Sequence, residues 1–325
     1  MTLLAKSPPL AREESEVAAP VRLGAGSFAT VYAISGGPVA YKRVHNIDEA
    51  STLQDEYEML DKIYWCCNTD YSFFGIPRAL AYNNPLVEPD DGGFITTDTA
   101  ASSPFCKLKP RRRSDRPTVT RKLMSVFDAP TYAMDRVHAL PWDVRVFLKD
   151  KFFPPAVQVG PALCRLYFGK TLSNDTPKFV NSSNFPLDVH RYGVLRTYMP
   201  ELPPAEEVAE GMGEMLGWMH NRAGADARDV EFVLGGDGAG GYTFFVIDFN
   251  QVRKWSKCVE DVVDLVQPFF VNDPYYPRPR PNDPLYQAFR SGYLEQYGTH
   301  TRSIGIAFLD AIEREQASRD QRSWW

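Results

Sequence analysis

Residues 21–44 read VRLGAGSFATVYAISGGPVAYKRV. Three apolar runs alternate there with two glycine-containing turns, at residues 24–28 and 36–38. Short apolar runs bounded by glycine are typical of antiparallel strands joined by tight turns. The stretch therefore predicts a small β-rich unit near the start of the chain.

A helix is predicted directly after this unit, between Asp48 and Tyr64. Asp48 stands where a helix-capping residue is expected. Apolar residues that recur every three or four positions are typical of a helix with one buried face. The apolar residues that recur at this spacing are Leu53, Tyr57, Leu60 and Ile63.

Helix and hairpin patterns recur later in the chain. Residues 204–221 carry apolar side chains on one helical face, and Pro203 and Pro204 open the segment. Two β-rich runs follow, at residues 229–234 and 242–247, with a glycine-rich tip between them. This pattern predicts a hairpin.

We expect the chain to divide into three parts. Residues 1–20 lack periodicity and are predicted to be a disordered leader. Residues 21–122 form an N-terminal β-rich lobe with a long polar and basic insertion at residues 84–122, where we expect poor order. Residues 123–325 form a C-terminal lobe that carries an acidic site.

Composition excludes several classes of protein. The 325 residues are 44% hydrophobic and 24% charged, which suffices for a large core. No run approaches the roughly 18 apolar residues of a membrane span, and the start has no signal-peptide pattern, so we expect a cytoplasmic protein without a membrane partner. Five cysteines are an odd number and include the adjacent Cys66 and Cys67, which indicates reduced thiols. The cysteine and histidine spacings predict no metal site.

A basic segment interrupts an otherwise acidic chain of net charge −5. Only one acid, Asp115, lies among its eight cations. The segment is either a solvated, flexible loop or a contact for nucleic-acid phosphate. Its cations are Lys107, Lys109, Arg111, Arg112, Arg113, Arg116, Arg121 and Lys122.

The glycine turn at residues 24–28 and Lys42 form the first candidate site. Glycines let backbone amides approach an anion, and a lysine neutralises phosphate charge. Glu56, on the predicted helix, is the expected partner of Lys42. The alternative is an ordinary hairpin turn with a structural ion pair.

The order of the later residues resembles the layout of protein kinases. Asp226 stands at the place of the catalytic-loop acid, Glu231 at that of the metal-binding asparagine, and Asp248 at that of the Asp-Phe-Gly acid. The resemblance implies an α+β, two-lobed, protein-kinase-like fold with a small N-terminal β-rich lobe and a larger, mainly helical C-terminal lobe.

The chain departs from the kinase pattern at several positions. Ala29 replaces the third loop glycine, Glu231 replaces asparagine and Asn250 replaces glycine, and there is no His-Arg-Asp tripeptide. These changes predict a kinase-like scaffold with an altered activity, because a fold does not fix its function.

Several uncommon strings extend the resemblance over residues 21–294. They are similar to a fungal family of unknown function labelled as zinc finger proteins, which includes the arginine-containing cyclodipeptide synthases. This resemblance implies that the protein condenses arginyl-tRNA with a second aminoacyl-tRNA into a diketopiperazine, as a step of fungal secondary metabolism. DNA is not an expected partner. The strings are residues 22–28, 164–169, 184–187, 229–235, 248–250 and 272–279.

The chemistry of this reaction suits a carboxylate-rich site. An aminoacyl ester is already activated, so peptide formation needs a held amine, a proton acceptor and oxyanion stabilisation, and no cofactor. We predict catalytic roles for Glu231 above all, and for Asp229, Asp226 and Asp248. Asp229 and Glu231, two apart on a predicted strand, are expected to share one face and to bind guanidinium.

The remaining site residues are assigned by their position beside these acids. Substrate binding is predicted for Lys42, Glu56, Ser27 and Asn250, and tRNA binding for Lys107, Lys109, Arg111, Arg112 and Arg113.

Alternatives stay open for four of these features. Asp229 is otherwise a turn residue, and Asp248 is otherwise held only by the amides of its own turn. Ser27 is also a candidate acyl-accepting nucleophile. Residues 275–279 form either a rigid packed loop or a substrate clamp.

Three functions compete at this point. The first is a tRNA-dependent cyclodipeptide synthase. The second is a kinase-like phosphotransferase that uses ATP and magnesium, and the third is a kinase-like binding module without catalytic activity. Product formation without nucleotide separates the first from the second.

Overall fold

The computed structural model describes residues 19–34, 37–96, 118–173, 184–271 and 274–322. Its strands are concentrated in the N-terminal region and its helices in the C-terminal region, which confirms the predicted α+β class. The strands are β1 (Pro20–Ala25), β2 (Ala29–Ile34), β3 (Val39–Val44), β4 (Ala79–Asn83), β5 (Phe94–Thr96), β6 (Thr131–Asp135), β7 (Leu163–Leu166), β8 (Asn184–Leu187), β9 (Glu231–Gly236) and β10 (Tyr242–Ile247). The α-helices are α1 (Ala50–Cys67), α2 (Arg121–Met124), α3 (Trp142–Phe152), α4 (Val189–Tyr198), α5 (Ala205–Trp218), α6 (Val266–Val271), α7 (Pro284–Glu295) and α8 (Arg302–Arg322).

The first sheet is antiparallel, with strand order β1-β2-β3-β6-β4-β5. The hairpins predicted from residues 21–44 form its β1-β2-β3 half. Helix α1 contacts β4 and β6 with the predicted apolar face, which is buried. Asp48 is not its cap: a short 3-10 turn precedes α1, and the Asn46 side chain accepts the Asp48 N–H at 3.1 Å.

The first sheet extends beyond the boundary at residue 122 that the sequence suggested. Strand β6, after that boundary, lies between β3 and β4 and completes the sheet. Parts of the 84–122 insertion are also ordered, since β5 pairs with β4. Val119 and Met124 are buried in a small core with Phe127. These apolar side chains anchor the C-terminal end of the polar insertion.

The second sheet has strand order β10-β9-β7-β8, with β7 and β8 parallel. The predicted hairpin is confirmed as β9 and β10. The predicted later helix is confirmed as α5, which continues into a π-helical turn at Met219–Ala223. Its apolar face is fully buried.

Residues 73–76 join the two sheets. Gly75 N–H donates to the Phe244 carbonyl at 2.9 Å, and the Gly75 carbonyl accepts from Val246 N–H at 2.9 Å. Phe74 is fully buried and packs edge-on against Phe232, with ring centroids 4.8 Å apart. The segment after α1 is thereby fixed to β10, which ends at the candidate site.

Helices α5 and α7 approach so closely that glycine is required at the contact. A Cβ atom on Gly213 would lie 2.0 Å from the Phe289 carbonyl oxygen, and one on Gly292 would lie 2.1 Å from the Glu210 carbonyl oxygen. Backbone atoms cannot move aside as a flexible side chain does, so larger residues would force the helices apart.

We expect Gly292→Ala to lower the free energy of unfolding by about 1–3 kcal/mol or more, because the added methyl overlaps backbone. Gly193→Ala, on the exposed side of α4 with no atom near its Cβ position, is the control and should raise stability by up to about 1 kcal/mol. Urea unfolding measures both. Equal effects of the two substitutions would contradict the close helix contact.

Candidate functional site

A cleft of 380 Å³ lies between the glycine turn of the first sheet and one end of the second sheet. Strands β3, β7 and β9 and the segment after β10 all contribute to its walls. The structure brings together six predicted site residues there. They are Ser27, Lys42, Asp229, Glu231, Asp248 and Asn250.

Lys42 links two parts of the chain that are distant in sequence. Its Nζ donates to Glu56 Oε1 on α1 at 2.6 Å and to Asp248 Oδ1 after β10 at 2.9 Å. Tyr132 Oη donates to the same Glu56 oxygen at 3.0 Å. Burial disfavours the charged form of Lys42, but the two carboxylates outweigh it and raise the pKa of Lys42. The lysine therefore stays charged and holds both acids.

Asp248 is held by this contact and by an unusual backbone. Its φ of +64° lies in the left-handed region, at a cost of roughly 1–2 kcal/mol for most residues. That conformation ends β10 and turns Phe249 into the core, where it is 2% exposed. The contact with Lys42 shows that Asp248 is not held only by amides of its own turn.

Asp229 lies in a turn before β9 and not on the strand. Its φ is +62° and that of Ala227 is +52°, so the expected shared strand face with Glu231 is wrong and the turn alternative is right. The Gln251 side chain donates to Asp229 Oδ2. Burial raises the pKa of Asp229, and the nearby Asp248 charge adds to that effect.

Glu231 opens β9 and contacts an arginine of the chain itself. Arg165 Nη2 lies 2.7 Å from Glu231 Oε1, and Arg165 Nε donates to Oε2 at 3.0 Å. Asn184 Nδ2 donates to Oε2 at 3.4 Å. Burial raises the pKa of Glu231 to about 7 against the opposing effect of Arg165, and Asp248 and Asp229 raise it further.

Sequence reasoning missed Arg165. It lies on β7 opposite Val233 of β9, and this strand pairing brings the guanidinium to Glu231, which is 66 residues away in sequence. Only the strand register of the second sheet shows this contact. The Glu231 carboxylate, which we predicted to bind a substrate guanidinium, thus contacts the guanidinium of Arg165 instead.

Asp226 is buried behind the cleft and does not line it. Its Oδ1 accepts the N–H of Arg228 at 3.1 Å and of Arg253 at 2.8 Å. Asp226 N–H donates to the Arg253 carbonyl at 2.9 Å. Asp226 therefore ties the turn that carries Asp229 to the segment after Asp248.

The glycine turn leaves open space above the cleft. No atom lies within 4 Å of the Cβ positions of Gly24 and Gly26. The ring of His45 reaches Ser27, but its Nδ1 contacts the Ser27 carbonyl oxygen at 3.0 Å and not the hydroxyl. This contact fixes the turn and gives no activation of the Ser27 hydroxyl.

Two asparagines present buried oxygens at this site. The Oδ1 atoms of Asn184 and Asn250 have no hydrogen-bond partner within the described ranges. Tyr275 and Tyr276 lie nearby in a packed loop: Tyr275 meets Tyr167 edge-on at 5.1 Å, and Tyr276 stacks on Phe269 at 4.8 Å. This packing favours the rigid-loop interpretation of residues 275–279.

The predicted tRNA-binding cations Lys107, Lys109, Arg111, Arg112 and Arg113 lie outside the described residues, and their role stays a prediction. Cys66, Cys67, Cys164 and Cys258 are thiols and not disulfides. In the part of the chain that the structure describes, no helix has the length and apolar character to cross a membrane.

The pH dependence of stability tests the buried state of Glu231. The folded carboxyl keeps its proton to about pH 7, whereas the unfolded one, with its ordinary pKa of 4.5, releases it earlier. The free energy of unfolding should therefore fall as pH rises from about 4.5 to about 7. In Glu231→Gln this fall should be smaller by an amount on the order of a few kcal/mol.

Asp237→Asn serves as the control, because this exposed carboxyl has a pKa below its ordinary 3.8, held down by the N–H groups of Ala239 and Gly241. It should leave the slope above pH 4.5 unchanged. Denaturant unfolding at several pH values gives the slopes. A slope in Glu231→Gln equal to that of the unaltered protein would show that Glu231 is not held in this state.

Comparison with known protein families gives a match to part of the chain. A family model described as zinc finger protein matches residues 244–303, a stretch that includes Asp248 and Asn250. No curated protein matches the chain. Among the described residues, no group of three or more His, Cys, Asp or Glu side chains is placed to hold a metal ion. Over residues 244–303 the chain is therefore similar to the family labelled as zinc finger proteins, as its sequence strings predicted.

Proposed function

We propose that this protein is an arginine-containing cyclodipeptide synthase that condenses arginyl-tRNA with a second aminoacyl-tRNA in the cytoplasm. The observation that carries the proposal is the meeting of three carboxylates, Asp229, Glu231 and Asp248, in one cleft. Such a site suits a cationic amine and its deprotonation. It requires no cofactor, because both substrates arrive as activated esters.

The reaction consists of two acyl transfers. The amine of one aminoacyl ester attacks the ester carbonyl of the other, a peptide bond forms, and the first tRNA leaves with its ribose hydroxyl restored. The amine of the resulting dipeptidyl ester then attacks its own ester carbonyl and releases the second tRNA. The ammonium form of each attacking nitrogen first loses one proton to a base and then to water. Each attack by the neutral amine then transfers one further proton from the nitrogen, through a base, to the leaving oxygen.

We assign Asp229 and Asp248 to contact the attacking amine of the aminoacyl ester. A carboxylate with a raised pKa is a better match for proton transfer near neutral pH, and the pKa of Asp229 is raised. The Asp248 side chain keeps 37% of its surface exposed while it contacts Lys42. Glu231, fixed by Arg165 at two points, is assigned to position the adjoining wall.

The proposal includes a two-lobed, protein-kinase-like scaffold. Its support is the strand lysine Lys42 paired with Glu56 of the following helix, and Asp248 placed directly after a hairpin strand. In this comparison Asp226 stands at the place of the catalytic-loop acid. Its carboxylate, however, accepts the backbone N–H groups of Arg228 and Arg253 and so connects two loops.

A phosphotransferase is the second candidate, and the Lys42 contacts favour it specifically. A lysine beside a glycine turn and an acid after β10 are the groups that orient nucleotide phosphates and magnesium in kinases. Under this alternative, ATP with magnesium would be consumed and would raise the melting temperature.

Metabolite analysis of a host that expresses the protein alone tests the proposal. We expect an arginine-containing diketopiperazine, whose mass also identifies the second amino acid. Asp229→Asn and Asp248→Asn should lower product by about 10²–10⁴-fold, because each removes a proposed proton acceptor or amine contact.

Asp128→Asn is the matched control, since Asp128 pairs with Arg43 on the exposed surface and does not line the cleft. It should retain full output. Normal output from both cleft variants would exclude the proposed roles, and absence of product from the unaltered protein in a host that supplies both aminoacyl-tRNAs would contradict the function.

A further inference from the structure

Four cations converge on one side of the groove between α1 and residues 249–254. This groove has a volume of 700 Å³ and includes Lys62 and Lys254 in its walls. Arg222, in the π-helical turn, and Lys257 complete the set. Three separate chain segments thus supply one basic cluster, defined here as Lys62, Arg222, Lys254 and Lys257.

The backbone fixes this cluster. Lys257 Nζ donates to the Arg222 carbonyl at 2.8 Å, and Lys254 pairs by its backbone with Ala225. Gly224 lies between them with φ of +60°, and a Cβ atom there would lie 2.7 Å from Lys257 Cε. Glycine therefore lets the lysine cross the turn.

Within the described residues the basic cluster has no direct acidic partner, although Glu214 acts on the charge of Arg222 through space. None of its four side chains forms an ion pair with any residue that the structure describes. Arg222, Lys254 and Lys257 are exposed. Burial lowers the pKa of Lys62, and the charges of Lys257 and Lys254 lower it further. Gathered like charges repel one another, and an anionic ligand would relieve that repulsion.

The groove itself limits where such an anion lies. Asp55, Glu58 and Asp61 of α1 line it together with Lys62. A phosphate chain is repelled along that acidic stretch, so its contact is confined to the end formed by the basic cluster. Trp65 lines the groove one helical turn after Lys62 and offers an aromatic surface next to the cations.

The position of the groove relates the basic cluster to the cleft. Phe249, Asn250 and Gln251 line both cavities. An RNA strand held at the cluster would therefore lie beside the segment that carries Asp248. Phosphate contacts of this kind position a nucleic acid without reading its sequence.

We infer that the basic cluster binds backbone phosphates of the tRNA part of the substrate, an inference that rests on the proposed function. Each neutralised phosphate contributes a slope of about −0.7 to −0.9 to the dependence of log K on log salt concentration. The cluster should contribute two or more such contacts.

Binding of deacylated tRNA, titrated at several salt concentrations, tests this inference. We expect Lys254→Gln with Lys257→Gln to weaken binding by about tenfold or more at low salt and to reduce the salt slope by about 1.5–2. Lys254→Arg with Lys257→Arg should restore both, which separates loss of charge from loss of folding. The control Lys149→Gln with Lys151→Gln removes two cations from α3 and should change neither value.

An unchanged slope in the double glutamine variant, or an equal change in the α3 control, would overturn the inference. Heparin and anionic vesicles serve as further probes, and cluster-dependent binding to either one without binding to tRNA would also overturn it. Because deacylated tRNA undergoes no reaction, cluster-dependent binding without any diketopiperazine would sustain this inference and contradict the proposed function. If the protein forms the diketopiperazine but the double glutamine variant binds tRNA as the unaltered protein does, the proposed function would be supported and this inference would be overturned.

Discussion

The ammonium group of Lys42 holds together two carboxylates that would otherwise repel each other. Glu56 arrives on α1 and Asp248 at the end of β10, and each contacts the same nitrogen. Glu56 and Lys42 are both nearly excluded from water, so removal of Lys42 leaves the Glu56 carboxyl buried without a counter-charge, at a typical cost of about 3–5 kcal/mol. The first sheet, its helix and the second sheet are thereby fixed relative to one another at the cleft.

Several other contacts in the cleft depend on the contact between Lys42 and Asp248. Asp248 turns in the left-handed conformation, which buries Phe249 and brings Gln251 to Asp229. Asp226 then ties the Asp229 turn to Arg253 on the same segment. The acids therefore differ in what they contact. Asp226 acts through backbone contacts, Glu231 is matched to Arg165, and Asp229 and Asp248 line the cleft with the most direct relation to a bound amine.

Local patterns in the sequence were sufficient for the periodic elements. The apolar faces of α1 and α5 and the hairpin of β9 and β10 follow from spacing alone, because each depends on neighbours in sequence. The place of β6 between β3 and β4 depends on pairing across a long insertion, and strand periodicity contains no information about such partners. The same limit hid Arg165, whose contact requires the register of β7 against β9. The β-forming neighbours of Asp229 predict a strand there, whereas its left-handed backbone, supported by the contacts of Asp226, places it in a turn before β9.

We propose that the carboxylate cleft joins two aminoacyl esters without nucleotide chemistry. The most direct measurement uses purified protein with preformed arginyl-tRNA and a second aminoacyl-tRNA, and counts product, deacylated tRNA and ADP. We expect two deacylated tRNAs for each diketopiperazine in the absence of ATP and magnesium-nucleotide. Product that appears only with ATP, or ADP release with no diketopiperazine, would contradict it.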